Sequence, residues 1–308
     1  MSIPMISFDE GEALLDWVGF TQALARGHDL PKAEIGDTFL YRDVDTLLSR
    51  SAWIDGMGLA VKTANIFPGN TAKGKPMING SVCLYSDQDG SLEALVDFHL
   101  VTKWKTAGDS LLGALRLANP DSREVLIVGA GTVAGSLIEA FGAAYPKAQI
   151  RVWNRTQAKA EELVADYPGT LLATDLQAAV QAADIILTST MSSTPVVLGD
   201  WLRPGQHLNL IGAYRPDMRE TDDVALSRAQ IYCDSFDTTL DHIGEFKTPL
   251  AEGVIQRNDV RADFYRLDQF PSFDPDAITL FKNGGGAHLD LMTSHHVLEK
   301  WKVTQNRD

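Results

Sequence analysis

The residues of this sequence with the clearest capacity for chemistry form a glycine turn between an apolar run and an amphipathic segment. Gly129 and Gly131 follow the apolar residues 125–128 and precede Thr132–Ala144, which carries apolar residues at helical spacing. Glycines let a tight turn approach a pyrophosphate closely, and the free N–H groups of the following helix attract the anion. The pattern predicts a strand, a turn and a helix that bind a dinucleotide. The residues predicted to contact it are Gly129, Gly131, Thr132 and Val133.

The ribose-binding position indicates which dinucleotide fits. A second predicted strand, residues 149–154, ends about 20 residues after the turn, where dinucleotide-binding folds place the residue that reads the adenosine ribose. An NAD-selective site carries Asp or Glu there, whereas this sequence has Asn154-Arg155-Thr156. The Arg155 guanidinium is suited to binding a 2′-phosphate, and its two neighbours can bond the phosphate without repulsion. We therefore expect NADP(H) rather than NAD(H); the alternative is that Arg155 only ends the strand in solvent.

Two lysines are candidates from their surroundings. Lys62 lies in a nearly apolar strand-like segment, where a lysine is rarely buried without an anion to meet it. Lys105 lies between Thr102 and Thr106 at a predicted helix start, where an anion would be bound favourably. The alternative for Lys105 is an ordinary solvated helix lysine.

Composition excludes several classes of function. The 308 residues are 44% hydrophobic, which suffices for two domains with sizeable cores. The formal charge of −14 disfavours nucleic acid and anionic membranes as partners. No apolar run approaches about 18 residues and no signal-peptide pattern opens the chain, so we expect a cytoplasmic protein. Cys83 and Cys233 suit buried thiols, and the histidines lack further ligands at metal spacing, so we expect neither a disulfide nor a metal.

The first third of the chain is typical of an α/β segment with an antiparallel sheet. Residues 3–8 predict a strand, and Asp9 is placed to cap a helix with apolar residues on one face. The turn-like Asp87-Gln88-Asp89-Gly90 predicts a hairpin. The other elements expected here are strands at 38–42, 46–53, 58–66, 81–86 and 93–97, a turn at Pro68-Gly69-Asn70 and a helix at 102–117.

From the glycine turn onward, helices and strands alternate, which is typical of a parallel sheet with helices on both faces. The strands expected after residue 156 are 170–173, 184–188, 207–213, 231–234 and 278–282. A final helix at 287–301 is long enough to return to the first domain. We therefore expect a first domain of residues 1–118 plus 287–308 and a doubly wound Rossmann domain of residues 119–286.

Several of these segments resemble the ornithine cyclodeaminase/μ-crystallin family, and within it the NADPH-dependent ketimine reductase branch. The segments that carry the resemblance are Val61-Lys62, Pro68-Gly69-Asn70, VTKWKTA at 101–107, IVGAG at 127–131, VWNRT at 152–156, WLRPGQHLNLIGAYRPDMRETD at 201–222 and ITLFKN at 278–283. The resemblance spans nearly the whole chain. It implies a Rossmann domain inserted into a first α/β substrate-binding and dimerisation domain, and a homodimer formed by the first domains.

The resemblance also implies which side chains meet the ligands. It places Lys62 against the substrate, and it aligns Lys105 with a family arginine that binds the substrate carboxylate. A lysine keeps the charge but loses the bidentate geometry of arginine. A further arginine completes the family's carboxylate pocket, and we assign Arg42, with Arg50 as the alternative. The residues expected to line the nicotinamide are Thr188, Ser189, Thr190 and Met191, and Gly212 is a further residue expected to bind the cofactor.

A departure from the family pattern at Tyr214 bears on the activity. Ornithine cyclodeaminases carry an aspartate in this segment, which assists the departure of ammonia, whereas this sequence has Tyr214. Asp217 lies after the next proline and matches an acidic residue of the reductase branch, and Glu220 is expected to anchor a helix start. Cyclodeamination therefore lacks its acid/base partner here.

The expected function is NAD(P)H-dependent reduction of a cyclic ketimine carboxylate. The substrate would be Δ1-pyrroline-2-carboxylate or Δ1-piperideine-2-carboxylate, and the product L-proline or L-pipecolate. We expect Lys105 with an arginine to hold the carboxylate, and Lys62 to bond either the carboxylate or the imine side and to supply the proton. The alternatives are an ornithine cyclodeaminase, an alanine-dehydrogenase-like enzyme, and a protein that binds NADPH and a small ligand without turnover.

Overall fold

The computed structural model describes residues 3–305, and the chain divides into two compact units. The first contains the chain up to Lys105 and from Gly286 onward, and the second contains Thr106–Gly285. Each unit combines helices with one β-sheet, and the sheet of the second unit is parallel throughout. The predicted α/β class with a doubly wound parallel sheet is confirmed.

The first unit is built on a sheet of six strands. Its elements in chain order are β1 (Met5–Ile6), α1 (Phe8–Glu12), α2 (Trp17–His28), β2 (Glu34–Arg42), β3 (Asp45–Ile54), β4 (Gly58–Ile66), β5 (Ile78–Tyr85), β6 (Leu92–Asp97) and the start of α3 (Phe98–Leu117). The strand order is β1-β6-β5-β4-β3-β2, antiparallel except between β1 and β6. The expected turn at Pro68 opens a short 3-10 helix, Pro68–Lys73.

The first helical segment differs from the prediction that Asp9 caps it. Ser7 is the cap, because its hydroxyl accepts the Glu10 N–H at 3.5 Å while the Glu10 carboxylate accepts the Ser7 N–H at 3.0 Å. Asp9 lies inside the first turn of α1. A second cap, Asp16, accepts the Gly19 N–H at 2.6 Å and starts α2, so the single predicted helix is two helices.

Successive residues of β4 point alternately to a covered face and to a half-exposed face of the sheet. Lys62 is buried, as are Ala60 and Ala64, whereas the residues between them are half-buried. In the sheet register Lys62 lies opposite Arg50 of β3. Directly opposed residues point to the same face of a sheet, so the Lys62 and Arg50 side chains share the covered face.

α3 contributes to both units. Near its start, Trp104 stacks on Trp17 at 3.8 Å between ring centroids. Further along, the Ala114 carbonyl accepts the Tyr145 hydroxyl at 3.4 Å, and Gly113 leaves no space for a side chain beside Phe281. The division into units therefore falls inside α3, between Lys105 and Thr106, earlier than the boundary expected after residue 118.

The second unit is a seven-stranded parallel sheet with helices. After α3 its elements are β7 (Glu124–Val128), α4 (Thr132–Ala144), β8 (Gln149–Trp153), α5 (Gln157–Asp166), β9 (Leu171–Leu172), α6 (Leu176–Ala182), β10 (Ile185–Thr188), β11 (His207–Leu210), α7 (Asp223–Arg228), β12 (Ala229–Cys233), α8 (Phe236–Thr239), α9 (Gly244–Glu252) and β13 (Ile278–Lys282), with short 3-10 helices at Gly199–Trp201, Arg257–Asp259 and Phe264–Gln269. The strand order is β12-β13-β11-β10-β7-β8-β9. The order reverses between β7 and β10, and folds of this type bind ligands at the carboxyl ends of the strands beside such a reversal.

The last helix, α10 (Ala287–Gln305), packs on β3, β4 and α2 of the first unit. Most of its first twelve residues are buried, and they include the charged residue Asp290. It thereby covers the face of the sheet that carries Lys62. Among residues 3–305, no helix combines the length and apolar character needed to cross a membrane.

Candidate functional site

The turn after β7 has the backbone geometry that close approach to a phosphate requires. Gly129 has a φ of 123°, a conformation that side-chain-bearing residues rarely adopt, and a Cβ there would lie 2.7 Å from the Ser189 hydroxyl. Gly131 is the N-cap of α4, makes no side-chain capping bond, and faces open space where a Cβ would stand. The amides of Thr132 and Val133 in the first turn of α4 lack intrahelical partners, as at any helix N-terminus. These residues fit a pyrophosphate.

The end of β8 presents the predicted ribose-binding residues to solvent. β8 ends at Trp153, whose carbonyl accepts the Gly129 N–H at 2.8 Å, so the strand end lies beside the glycine turn. Arg155 is exposed, and the Asn154 amide donates to the Thr156 carbonyl at 2.8 Å. The segment is thus fixed by its own hydrogen bond while the guanidinium remains accessible for a phosphate.

A buried carboxylate, Glu220, fixes the loops that follow β10 and β11. It accepts the Thr190 N–H at 2.7 Å and the Thr190 hydroxyl at 2.8 Å, and its other oxygen accepts the Gly212 N–H at 2.7 Å and the Ala213 N–H at 3.2 Å. Gly212 is required here, since a Cβ would lie 2.0 Å from the Thr190 carbonyl oxygen. The expectation that Glu220 anchors a helix start is wrong, because Asp222 caps α7 by accepting the Ala225 N–H.

Two further buried charges support Glu220, and the sequence interpretation missed both. Glu245 accepts the backbone N–H groups of Glu220 and Thr221 at 2.7 and 3.1 Å. Its burial, with the repulsion of Glu220, raises the pKa of Glu245 to about 7 despite the attraction of Lys282. The Lys282 ammonium donates to the carbonyls of Leu210 and Ala213 at 2.9 and 2.8 Å, and burial lowers its pKa. The sequence does contain a signal for Lys282, because it is a lysine at the end of the apolar strand β13. The same kind of signal, a lysine in a nearly apolar strand, identified Lys62.

In the first unit, Lys62 is the centre of a buried ionic cluster. Its ammonium donates to Asp290 Oδ1 at 2.9 Å and to the Thr102 hydroxyl at 2.7 Å, and lies 4.5 Å from the centre of the Phe98 ring. The Lys62 side chain is 5% exposed and that of Asp290 is 1% exposed. Burial lowers the pKa of Lys62 to about 8, against the attraction of Asp290, so its proton is available near neutral pH.

Lys105 joins this cluster from α3. Its ammonium lies 3.3 Å from the same Asp290 oxygen that Lys62 contacts. Burial disfavours ionisation of Asp290, but the charges of Lys105, Lys62 and Arg50 outweigh burial and lower the pKa of Asp290 to about 2. The aspartate is therefore a permanent anion between cations.

The structure places Arg42 away from the cluster and Arg50 within it. β2 pairs Asp37 with Arg50 and Arg42 with Asp45, and positions an odd number of residues apart on a strand point to opposite faces. The Arg42 side chain is 75% exposed and bonds Asp45 at 2.8 Å. Arg50 lies on the Lys62 face, where its Nε and one terminal nitrogen donate to the Asp37 carboxylate at 3.2 and 2.6 Å. Arg50, the alternative, thus replaces Arg42 as the candidate.

The remaining predicted residues are distributed along the carboxyl edge of the second sheet. Thr188 is fully buried at the end of β10, and Met191 is 74% exposed in the loop beyond it. Tyr214 is 58% exposed in the loop after β11. Within residues 3–305, no group of three or more His, Cys, Asp or Glu side chains is placed to hold a metal ion.

Known proteins with similar sequences include two reductases. The chain is 46% identical over 300 residues to a Δ1-pyrroline-2-carboxylate reductase of Paracoccus denitrificans, covering 95% of each chain. It is 32% identical over 244 residues to the ketimine reductase μ-crystallin of Rattus norvegicus, covering 79% of this chain and 76% of the relative.

Solved structures of similar fold bind nicotinamide cofactors. A Thermococcus litoralis Δ1-pyrroline-2-carboxylate reductase in complex with NADH and L-proline matches with a TM-score of 0.88 at 25% identity over 98% of both chains. An archaeal alanine dehydrogenase dimer with bound NAD matches with a TM-score of 0.88 at 25% identity, covering 99% of this chain and 98% of that one. The sequence pattern of the ornithine cyclodeaminase/μ-crystallin family matches residues 52–305. This protein belongs to the ornithine cyclodeaminase/μ-crystallin family.

Proposed function

We propose that this protein is an oxidoreductase that reduces the C=N bond of a cyclic ketimine carboxylate, Δ1-pyrroline-2-carboxylate or Δ1-piperideine-2-carboxylate, to L-proline or L-pipecolate. The observation that carries the proposal is the ionic cluster around Lys62 in the first unit, in which Lys62, Lys105 and Asp290 are buried. Three cations, Lys62, Lys105 and Arg50, face two carboxylates, Asp290 and Asp37, among the described residues. One positive charge is left over, which suits one substrate carboxylate. The 46% identical reductase supports the same substrate class.

The reaction adds a hydride to the imine carbon and a proton to the imine nitrogen. When bound, a reduced nicotinamide supplies the hydride. We assign the proton to the Lys62 ammonium, whose lowered pKa of about 8 makes it a stronger acid than an ordinary lysine. Lys105 and Arg50 bind the carboxylate, and the burial of Lys62 strengthens each charge interaction by excluding water. The product is the saturated ring with its amine nitrogen.

For the cofactor we propose a preference for NADPH over NADH. Arg155 is exposed next to the glycine turn and can bind a 2′-phosphate. No carboxylate stands at 154–156 to accept the two ribose hydroxyls or to repel the phosphate. The glycine turn and the helix N-terminus serve either dinucleotide, so the preference rests on Asn154-Arg155-Thr156 alone.

We also propose that the protein forms a homodimer through its first unit. Every residue of the edge strand β2 is exposed, and four of them are large and apolar. These residues are Ile35, Phe39, Leu40 and Tyr41. An exposed edge strand with apolar side chains favours association, here with a second copy of the chain. Sedimentation should give twice the chain mass of 33.6 kDa, and a monomer at micromolar concentration would contradict the proposal.

A panel assay of the purified protein tests the reductase proposal. NADPH absorbance is followed with the two cyclic imines, and in parallel with pyruvate plus ammonia. We expect rapid oxidation with at least one cyclic imine and little with pyruvate. Preference for pyruvate plus ammonia would indicate an alanine-dehydrogenase-like enzyme, and NADPH binding without turnover of any substrate would indicate a binding protein.

A further inference from the structure

We propose that Asp290 is a positioning residue for the reaction: it holds the Lys62 and Lys105 ammonium groups side by side, so that one donates a proton while the other binds the substrate carboxylate. This inference rests on the proposed reductase function. It adds a residue that acts through the two lysines rather than on the substrate.

The geometry centres on a single oxygen. Asp290 Oδ1 accepts a hydrogen bond from Lys62 of β4 at 2.9 Å and lies 3.3 Å from the ammonium of Lys105 on α3. Two ammonium groups this close to one point repel each other, and in a buried site the repulsion is weakly screened. The shared anion offsets that repulsion. Without it, the two lysines would move apart or one would lose its proton.

Asp290 differs from the carboxylates that fix the fold. Glu220 and Asp234 each accept several backbone N–H groups and thereby hold loops in place. Asp290 Oδ2 is buried and has no hydrogen-bond partner within residues 3–305. The hydrogen bond that the carboxylate does make comes from a lysine ammonium. Its role is therefore directed at the lysines and not at the backbone.

The charged and titratable groups around the pair come from five elements, one of which is α2 with His28. Arg50 approaches from β3 and is paired with Asp37 of β2, while Lys105 approaches from α3 and His288 lies on α10 beside Asp290. Burial, followed by repulsion from His28 and Lys105, keeps the pKa of His288 well below its usual value, so this histidine stays neutral. Asp290 is the anion that raises the pKa of Lys62, whereas Lys105 and Arg50 lower it.

Removing the Asp290 charge should therefore release the Lys62 proton at neutral pH. In Asp290→Asn the amide occupies nearly the same volume but no longer attracts the ammonium, so burial and the two remaining cations lower the Lys62 pKa below about 8. A neighbouring opposite charge typically shifts a pKa by about 1–3 units. We expect the basic limb of the pH profile of kcat to move down by at least about one pH unit, with a larger loss in kcat than rise in KM at pH 7.5.

The experiment compares pH profiles of the NADPH-loaded parent, Asp290→Asn and a control, Glu12→Gln. Glu12 accepts Lys103 Nζ and Trp104 Nε1, both at 2.6 Å, so it is also a carboxylate that binds a lysine of α3. The control should keep the parent's pH profile. Independently of turnover, NMR titration of 15N-labelled lysine side chains, with the Lys62 signal assigned by its loss in Lys62→Met, should show the lowered Lys62 pKa in Asp290→Asn.

A second variant keeps the test decisive if Asp290→Asn is poorly folded. Asp290→Glu retains the charge but displaces it by one methylene, so the basic limb should stay near that of the parent while kcat falls. An unchanged Lys62 pKa in Asp290→Asn, or parental kcat and KM in Asp290→Glu, overturns the inference. If the parent itself fails to reduce cyclic imines, the proposed function fails, and the NMR titration alone still decides whether Asp290 controls Lys62.

Discussion

The two units of the chain form their functional regions from different chemical groups. In the second unit, the glycine turn and the loops at Thr190 and Gly212 present backbone groups, and the buried Glu220 holds those loops. In the first unit, the groups available for chemistry are side-chain charges, and they are held by one another, as in the pair of Lys62 with Asp290. The loops of the second unit depend on the single carboxylate of Glu220, whereas each charge of the ionic cluster in the first unit depends on the others.

Two buried carboxylates illustrate the difference. The pKa of Glu245 is raised to about 7 by burial, whereas the pKa of Asp290 is lowered to about 2 because three cations outweigh burial. The folded chain therefore binds more protons at Glu245 than the unfolded chain between about pH 4.5 and 7, and this contribution to stability declines as the pH rises. Asp290 has the opposite sign: its contribution is present above about pH 4 and is lost as the pH falls towards 2.

The largest effect is expected from a change of Glu220, which holds the loops at Thr190 and Gly212. Glu220→Gln replaces a carboxylate that accepts four hydrogen bonds with an amide that presents donors to donors, and it removes one of the buried anions that attract Lys282. Breaking a buried charge pair costs about 3–5 kcal/mol, so we expect that loss in the free energy of unfolding together with weaker dinucleotide binding. Urea unfolding and dinucleotide titration measure the two effects.

The matched control for this change is Asp222→Ala, which removes a carboxylate that accepts the N–H groups of Gly199 and Ala225. Loss of a helix cap costs about 1 kcal/mol. If Glu220→Gln and Asp222→Ala lose the same free energy of unfolding, Glu220 contributes no more than a helix cap does. The loops of the second unit would then not depend on its buried charge.

The next effect tests the ionic cluster through activity. Lys62→Met keeps the apolar stem and leaves Asp290 paired with Lys105, so the fold and NADPH affinity should survive while turnover of Δ1-pyrroline-2-carboxylate falls about 10²-fold or more. A lowered kcat indicates a role in the transition state, and a raised KM alone indicates ground-state binding. Lys103→Met, which removes a lysine paired with Glu12, is the control and should remain active. Parental kinetics in Lys62→Met would show a structural lysine.

The same contrast explains how much of the molecule could be predicted from its sequence. The turn at Gly129 and the helix Thr132–Ala144 are predictable because their signals are local: closely spaced glycines and helical spacing. β4 and β13 were predicted with the observed ends, since apolar runs between turns are local as well. The fold class followed from the alternation of such elements.

The ionic cluster could be predicted only in part, because its partners are distant along the chain. Asp290 is 228 residues from Lys62, and the sequence offered only an aspartate within the apolar segment Leu289–Met292 as a signal. Spacing favours Arg42 over Arg50 because it does not reveal the strand register, and a shift of an odd number of residues moves a side chain to the other face of the sheet. Glu220 was misassigned for a similar reason, since its four donors lie in loops that only the folded sheet brings together.

A smaller effect tests cofactor choice. Arg155→Ala removes the cation expected to bind the 2′-phosphate and leaves the glycine turn intact, so NADPH affinity should fall by about 1–3 kcal/mol while NADH affinity stays the same. Titration of both cofactors against parent and variant measures the difference, with NADH as the internal control. Equal losses for both would assign Arg155 to the shared part of the dinucleotide and would remove the basis for an NADPH preference.

The smallest expected effect is the absence of an activity. Ornithine supplied with NAD should give neither proline nor ammonia at a useful rate, because the family resemblance aligns Tyr214 with the aspartate of ornithine cyclodeaminases. Asp217 does not replace that aspartate: both of its oxygens accept hydrogen bonds from Arg215 at 2.8 Å, and this pair lowers the pKa of Asp217 at the surface. Proline formation from ornithine, detected by amino acid analysis, would show that another group performs the acid/base step.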